Sequence, residues 1–163
     1  MEEVDSLGSS PFNGSLETGM RAVMALHASF PMELDIQRLT ALDYLIVRTS
    51  LLDGPDDLHP STPITTPVTQ VRRKAVYDAL DLMMSRELVE RTITSQGIYF
   101  RAGEYSSFFV EALTTKYAQQ LLHRARWVAK YFEGYSETQF EALMAELLDD
   151  WVAEFQDEAP GFE

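Results

Sequence analysis

The chain has 163 residues, of which 45% are hydrophobic and 24% charged, proportions that are ordinary for one soluble globular domain. It has no cysteine, which excludes disulfides, thiolate nucleophiles and cysteine metal sites. The net charge of −13 is concentrated at the two ends, and residues 136–163 carry nine acidic and no basic side chains. Such a chain is repelled by phosphate backbones unless a local basic patch overcomes the field.

The N-terminal segment, residues 1–12, is expected to be disordered or loosely attached. It has neither the positive region nor the apolar stretch of a secretory signal. No apolar run approaches the roughly 18 residues that a membrane span needs. We therefore expect a cytoplasmic protein that makes no membrane contact.

Two helices are predicted next. The first runs from Ser15 to Phe30, and Pro31 stops it. A 3.6-residue period places one set of residues on its inner face: Leu16, Met20, Val23, Met24, His27 and Phe30. The second runs from Asp35, which can cap it, to Leu52, and its nearly uniform apolarity predicts a central position.

Asp43 is the exception on the second helix, because it lies between Leu39 and Val47 on the most apolar side. A buried carboxylate must find hydrogen-bond donors or lose its charge. We expect the donors to be backbone N–H groups of residues 53–60 or a protonated His59. A catalytic acid is the less favoured alternative, since no second carboxylate or nucleophile lies nearby in the sequence.

A proline-rich loop over residues 53–67 follows the second helix. Gly54-Pro55 and His59-Pro60 are expected to fix turns. A loop of this length in a compact domain is usually functional or disordered. We expect an ordered loop that packs on the second helix and offers one side to partners; a plain connection is the alternative.

A third helix is predicted from Thr69 to Glu87, followed by two strands, residues 88–93 and 98–103, around a glycine turn. Three helices and a hairpin are the order of a winged-helix domain, here residues 13–103. The predicted fold is therefore mainly α: a winged-helix domain with a two-stranded wing and a C-terminal helical extension.

The C-terminal extension covers residues 104–156, with a tail over 157–163. Its helices are predicted at three places: Glu104–Leu113, Thr115–Phe132 and Glu137–Phe155. Gly134 can end the second of these and Ser136 can cap the third.

In many winged-helix domains the helix before the wing enters the major groove of DNA. The surface of this helix therefore indicates whether the protein binds nucleic acid. Its exposed strip is predicted to be Lys74, Asp78, Asp81 and Ser85, and aspartates there oppose phosphates. Four arginines are the candidate nucleic-acid contacts: Arg72, Arg73, Arg91 and Arg101. This set is thin for a groove reader, so the pattern favours a protein-binding module.

A candidate protein interface lies on the predicted helix Thr115–Phe132. Trp127 and Tyr131 fall off its inward face, beside a basic stripe: Lys116, His123, Arg126 and Lys130. Aromatic residues next to basic ones are typical of protein interfaces and also suit single-stranded nucleic acid. The alternative is that the last helix covers the aromatic pair and its acids pair with the stripe.

Enzymatic signatures are lacking in the sequence. It contains no GxxxxGK[ST], GxGxxG, HExxH or GxSxG motif, and its three histidines lie on different predicted elements. We expect no catalytic residue, no metal and no cofactor.

Three stretches of the chain, with an opening helix before them, carry a resemblance to a known family. The stretches are LDYLIVRTSLLDGPDDLHPSTP, VRRKAVYDALDLMMSRELVER and GIYFRAGE, and the opening helix is FNGSLETGMRAVMALHASFP. Together they resemble the group 2 middle component of bacterial ABC-three-component systems. The resemblance covers about residues 12–135. Its signature loop carries Asp43, Gly54, Pro55, His59 and Pro60.

The resemblance implies a winged-helix accessory subunit without a known catalytic centre. Its implied partners are an SMC-like ABC ATPase and an effector, often a nuclease, in an arrangement similar to Lamassu antiphage systems. DNA would then be reached only through the complex. A winged-helix transcription regulator is the first rival, which a dense basic recognition helix would favour, and a small hydrolase is the second.

Overall fold

The computed structural model describes residues 14–59 and 68–147, and in the second range its side chains from Arg72 onward. The elements, in chain order, are α1 Ser15–Ser29, α2 Ile36–Ile46, a 3-10 helix Thr49–Leu52, α3 Val68–Ser85, β1 Val89–Thr94, β2 Gly97–Ala102, α4 Ser106–Ala112, α5 Lys116–Tyr131 and α6 Glu137–Leu147. The prediction of a mainly helical chain is confirmed. The predictions for residues 1–12, 60–67 and 148–163 lie outside the described residues.

Helix α1 lies at the centre of the molecule, packed against α2, α3, α4, α5 and β2. Its middle is therefore buried on most sides, including the charged residue Arg21. The predicted inner face is wrong at both ends, because Leu16 near the start of the helix and Phe30 just after its end are 65% and 66% exposed. His27, near the end of the helix, is half-buried.

Helix α2 begins as predicted, since the side chain of Asp35 accepts a hydrogen bond from the N–H of Arg38 at 2.8 Å. It ends at Ile46, six residues before the predicted end. The carbonyl of Val47 accepts from the N–H groups of Leu58 and His59 in the loop. In another turn of α2 this carbonyl would accept a helical hydrogen bond, but the N–H groups of the loop occupy it. A short 3-10 helix therefore follows α2.

The hairpin pairs β1 with β2 in antiparallel register from Val89–Ala102 to Thr94–Gly97. Leu34 extends it, exchanging hydrogen bonds of 2.8 Å in both directions with Phe100 on the outer side of β2. This bridge attaches the connection between α1 and α2 to the sheet. The arrangement agrees with the predicted helix and hairpin order, and the finer winged-helix assignment stays a prediction.

Two predicted signals, Gly134 and Ser136, stand between α5 and α6, and Thr115 adds a cap to α5 that was not predicted. Thr115 caps α5 by accepting from the N–H of Ala118 at 3.2 Å. Ser136 and Gln139 form a reciprocal capping box at the start of α6. Gly134 has a φ of +84° and so suits the turn between the two helices.

One hydrophobic core joins all these elements. It includes Val76 and Leu80 of α3, Leu121 and Val128 of α5, and Phe140 of α6. The predicted exposed strip of α3 is confirmed, since its four residues all face solvent: Lys74, Asp78, Asp81 and Ser85. Leu58 of the loop also packs against this core.

Candidate functional site

Three charged side chains from three helices meet inside the protein and form the buried cluster: Arg21 of α1, Asp43 of α2 and Arg72 of α3. Arg21 Nε donates to Asp43 Oδ1 at 2.7 Å, and Arg72 Nη1 donates to Oδ2 at 2.6 Å. The exposed fractions of the three side chains are 0%, 3% and 14%. Burial alone would raise the pKa of Asp43, but the charges and hydrogen bonds of the two arginines outweigh it and hold that pKa below its usual value.

The predicted burial of Asp43 is confirmed, but its predicted donors are wrong. The N–H groups of Asp53, Gly54, Leu58 and His59 donate to backbone carbonyls of residues 47–50. Asp43 is charged and holds two guanidinium groups, so it ties helices together rather than fixing the loop directly.

Two arginine side chains, those of Arg48 and Arg72, lie against the ring of Tyr44. The guanidinium carbons of Arg48 and Arg72 lie 4.3 Å and 5.3 Å from its centroid. Burial, and then the nearby charge of Arg72, lowers the pKa of Arg48. Arg48 Nη1 and Arg72 Nε are buried without a hydrogen-bond partner among the described residues. The face of the Tyr44 ring therefore helps to stabilise the two guanidinium groups through cation–π contacts.

His59 connects the loop to α5. Its Nε2 lies 2.8 Å from the hydroxyl of Tyr117, and the two rings stack with centroids 6.5 Å apart. Burial, followed by the charges of Arg21, Arg48 and Arg72, lowers the pKa of His59 to about 4. His59 is therefore neutral at neutral pH and cannot be the protonated donor that the sequence suggested for Asp43.

The loop over residues 53–59 is held at several further points. Thr49 Oγ1 donates to the carbonyl of Pro55 at 2.6 Å, and the side chain of Asp57 accepts from the N–H and hydroxyl of Ser50, both at 2.9 Å. Arg124 of α5 donates through Nε and Nη2 to the carbonyl of Asp56, at 3.1 Å and 2.9 Å. Residues 53–59 are thus hydrogen-bonded to the 3-10 helix and to α5, while Pro60 lies outside the described residues and the order of the whole loop stays a prediction.

Gly54 brings two of the predicted sites together. A Cβ atom built on Gly54 would lie 2.4 Å from Cη2 of Trp127, so only glycine admits the indole at this distance. Trp127 is half-buried under the loop, and its ring stacks on Tyr131 at 5.5 Å. The loop therefore packs on Trp127, while residues 148–155 of the predicted last helix lie outside the described residues.

Tyr131 continues a row of aromatic rings towards α6. It contacts Phe132 at 5.0 Å and Tyr135 at 5.8 Å, and Phe132 contacts Phe140 at 5.0 Å. The predicted aromatic pair is thus part of the internal packing of the C-terminal helices, with only its outer edge towards solvent.

The basic residues beside this pair face solvent and form the basic face of α5: His123, Arg126 and Lys130. Their helix, Lys116–Tyr131, contains four lysines and arginines and no acidic residue in a chain of net charge −13. Burial lowers the pKa of Arg38 on α2, and the charges of Asp35, Glu137 and Glu141 oppose that shift.

Three of the four candidate nucleic-acid contacts have a described partner within the protein. The prediction of Arg72 as an exposed contact is wrong, because its side chain is paired with Asp43 in the interior. Arg73 lies over the ring of Tyr77 at 5.9 Å, and Arg101 pairs with Glu90 at 2.8 Å. Arg91 is exposed on the hairpin.

Arg21 and Arg48 are structural residues that sequence reasoning missed. The signal for Arg21 was present, since it stands between Met20 and the run Ala22–Leu26 as a lone charge in an apolar stretch, as Asp43 does. Pairing the two lone charges of opposite sign would have predicted the contact.

Among the described side chains, no group of three or more histidines, aspartates or glutamates is placed to hold a metal ion. None of the described helices is long and apolar enough to cross a membrane.

Comparison with known proteins assigns the family. No curated protein and no solved structure matches the chain. Residues 11–154 match the family model described as ABC-three component (ABC-3C) system Middle Component 2. Because the match spans most of the 163 residues, the chain belongs to the middle component 2 family of ABC-three-component systems.

Proposed function

We propose that this middle component is a non-catalytic adaptor that binds the SMC-like ABC ATPase of its system and restrains an effector, a nuclease, in bacterial antiphage defence. Family membership supports an accessory role in an ABC-three-component system. The link to Lamassu-type systems and the cytoplasmic setting are parts of this proposal.

The disposition of charge carries the proposal. Two buried polar groups that could do chemistry are engaged inside the protein: Asp43 is held by two arginines and His59 by Tyr117. The basic face of α5, by contrast, is exposed on an otherwise acidic chain. A rigid helix that presents cations beside partly exposed aromatic rings suits recognition of an acidic protein surface.

The partner contact is assigned to Arg126 and Lys130 first, with His123 beside them. Trp127 and Tyr131 contribute through their exposed edges and by holding the helix against the loop. Substituting Trp127 would also disturb its contact with Gly54. The two exposed cations are therefore the cleaner probes of the interface.

DNA is reached only through the complex in this proposal. The exposed strip of α3 carries Asp78 and Asp81, which repel phosphates. The wing offers Arg91 as an exposed cation, while Arg101 is paired with Glu90. A transcription regulator needs a denser basic surface than the described residues provide.

The test is co-expression with the ABC ATPase and effector encoded beside the gene, followed by size-exclusion chromatography. The proposal expects the three chains to elute together, and the effector to be less active in the complex than alone. Separate elution of this protein from a folded ATPase would contradict the adaptor role. An effector equally active with and without this protein would contradict the restraint.

A further inference from the structure

Two arginines at the buried cluster, Arg48 and Arg72, have side-chain N–H groups with no acceptor in the described part of the protein. These groups are Arg48 Nη1 and Arg72 Nε, and both are buried. Arg48 is 8% exposed as a residue, and the side chain of Arg72 is 14% exposed. A donor that loses water without gaining an acceptor costs free energy. Two such donors therefore favour an acceptor that a ligand supplies.

The two donors belong to neighbouring side chains. Their guanidinium carbons lie 4.3 Å and 5.3 Å from the centroid of the same ring, that of Tyr44. Among the charges that act on Arg48, that of Arg72 has the largest effect, and it adds to burial in lowering the pKa of Arg48. A single small acceptor between the two side chains is therefore the simplest partner for both donors.

Arg48 has no carboxylate of its own among the described residues. Two carboxylates act on it from nearby, those of Asp43 and Asp57. Both oxygens of Asp43 already accept from the two arginines of the buried cluster. The oxygens of Asp57 accept from the N–H and hydroxyl of Ser50. The charge of Arg48 is thus left to the ring of Tyr44 and to whatever binds beside it.

Positive charge exceeds negative charge in this part of the interior. Three arginine side chains are at most 14% exposed here: Arg21, Arg48 and Arg72. Asp43 is the only buried acid among the described residues, and Glu17, 3.9 Å from Arg21, is 29% exposed. After burial, the charges of the three arginines lower the pKa of His59 to about 4. Water would accept from the N–H groups but leave the excess charge in place, whereas an anion compensates it as well.

We propose that the protein binds a phosphate group between Arg48 and Arg72, with phosphate oxygens accepting from Arg48 Nη1 and Arg72 Nε. The planar donors of arginine match the oxygens of a phosphate, which also carries more negative charge than a carboxylate. The bound group links the segment after α2 to α3. Its source is the free ion or a phosphomonoester. The binding does not rest on the proposed function, because it belongs to the isolated chain.

The test is an NMR titration of the full-length protein enriched in ¹⁵N, which follows the Nε–Hε signals of its arginines at neutral pH. Sodium phosphate is the probe, compared with sodium chloride at the same ionic strength. The Nε–Hε signal of Arg72 should shift saturably with phosphate and not with chloride, because this donor gains an acceptor. No saturable shift of that signal overturns the proposal. Adenosine monophosphate in a parallel titration identifies the source: a shift with it shows that phosphomonoesters bind, and a shift with phosphate alone assigns the free ion.

Arg48→Gln tests the second donor. It should weaken the Kd for phosphate by at least about tenfold, because a hydrogen bond to a charged group is lost. The urea midpoint without phosphate should not fall, since the substitution removes an uncompensated buried charge. Arg86→Gln, which removes an exposed cation just after α3, is the matched control and should keep the wild-type Kd. A wild-type Kd for Arg48→Gln, or an equal loss in the control, contradicts the proposal. The wild-type titration at Arg72 decides it even where a variant does not fold.

Discussion

Two regions of this molecule use arginine in opposite ways. In the buried cluster, Arg21 and Arg72 surround Asp43 with the exposed fraction of each side chain at or below 14%. On the basic face of α5, Arg126 projects into solvent with no ion pair to any described residue. The residue type is the same, but among the described residues a neighbouring helix provides an acidic partner only in the buried cluster.

The difference separates stability from recognition. A buried ion pair is expensive to break, because removing one member leaves an uncompensated charge in the interior. An exposed charge contributes little to folding but much to the rate and specificity of association. We therefore expect substitutions in the buried cluster to unfold the protein, and substitutions on the basic face to leave the fold intact.

The largest effect is expected from Asp43→Leu. It leaves the guanidinium groups of Arg21 and Arg72 without their acceptor, which should lower the free energy of unfolding by about 3–5 kcal/mol. Asp43→Asn keeps one acceptor oxygen and should be milder. Urea unfolding measures both, with Asp81→Leu on the exposed strip of α3 as the control. An Asp43→Leu variant with the same free energy of unfolding as the control would show that the buried cluster does not stabilise the fold.

The contact between the loop and α5 is tested by Gly54→Ala. The added methyl group would meet Trp127 Cη2 at 2.4 Å, so the loop or the indole must move. Overpacking of this kind commonly costs about 1–3 kcal/mol. Combining it with Trp127→Leu should abolish most of the additional loss, because the clash disappears. Strictly additive effects in thermal and urea unfolding would show that the two residues do not meet.

A smaller, pH-dependent effect is expected from His59. Its pKa is about 4 in the folded protein and about 6.5 in the unfolded chain. As the pH falls through this window the unfolded chain binds the proton first, so the free energy of unfolding decreases. His59→Gln should remove this part of the loss while keeping a polar partner for Tyr117. The check is urea unfolding at several pH values; an unchanged pH profile would place His59 in solvent.

The smallest effect is expected with duplex DNA. Asp78 and Asp81 on the exposed strip of α3 oppose phosphates, and Arg72 is engaged by Asp43. In a mobility-shift assay at about 150 mM salt, the isolated protein should show no specific shift of duplex DNA. Sequence-specific DNA-binding proteins usually bind tightly at such a salt concentration. Sequence-specific, sub-micromolar binding would favour the regulator alternative and would place recognition on α3 rather than α5.

Local patterns predicted most of the helices and the hairpin because caps, glycines and periodicity act within a few residues. The caps Asp35 and Ser136 are examples. The early end of α2 was missed because its cause, the N–H groups of Leu58 and His59, lies beyond the helix.

The same limit applies to the candidate site. Asp43 stood out as a lone acid in an apolar helix, yet its donors come from residues 22 positions before it and 29 after it. The sequence placed Arg72 and Arg126 equally well on exposed surfaces. Only packing of α3 against α2 shows which of them has a partner inside.

The most direct test of the account is the affinity of this protein for its proposed partner, the ABC ATPase of its system, measured with Arg126→Gln plus Lys130→Gln. Loss of central interface contacts commonly costs about 2 kcal/mol or more, roughly a thirtyfold weaker Kd. The account predicts that loss with an unchanged urea midpoint, and wild-type affinity for the control pair Lys74→Gln plus Arg86→Gln. A wild-type Kd for the Arg126 and Lys130 variant would contradict it.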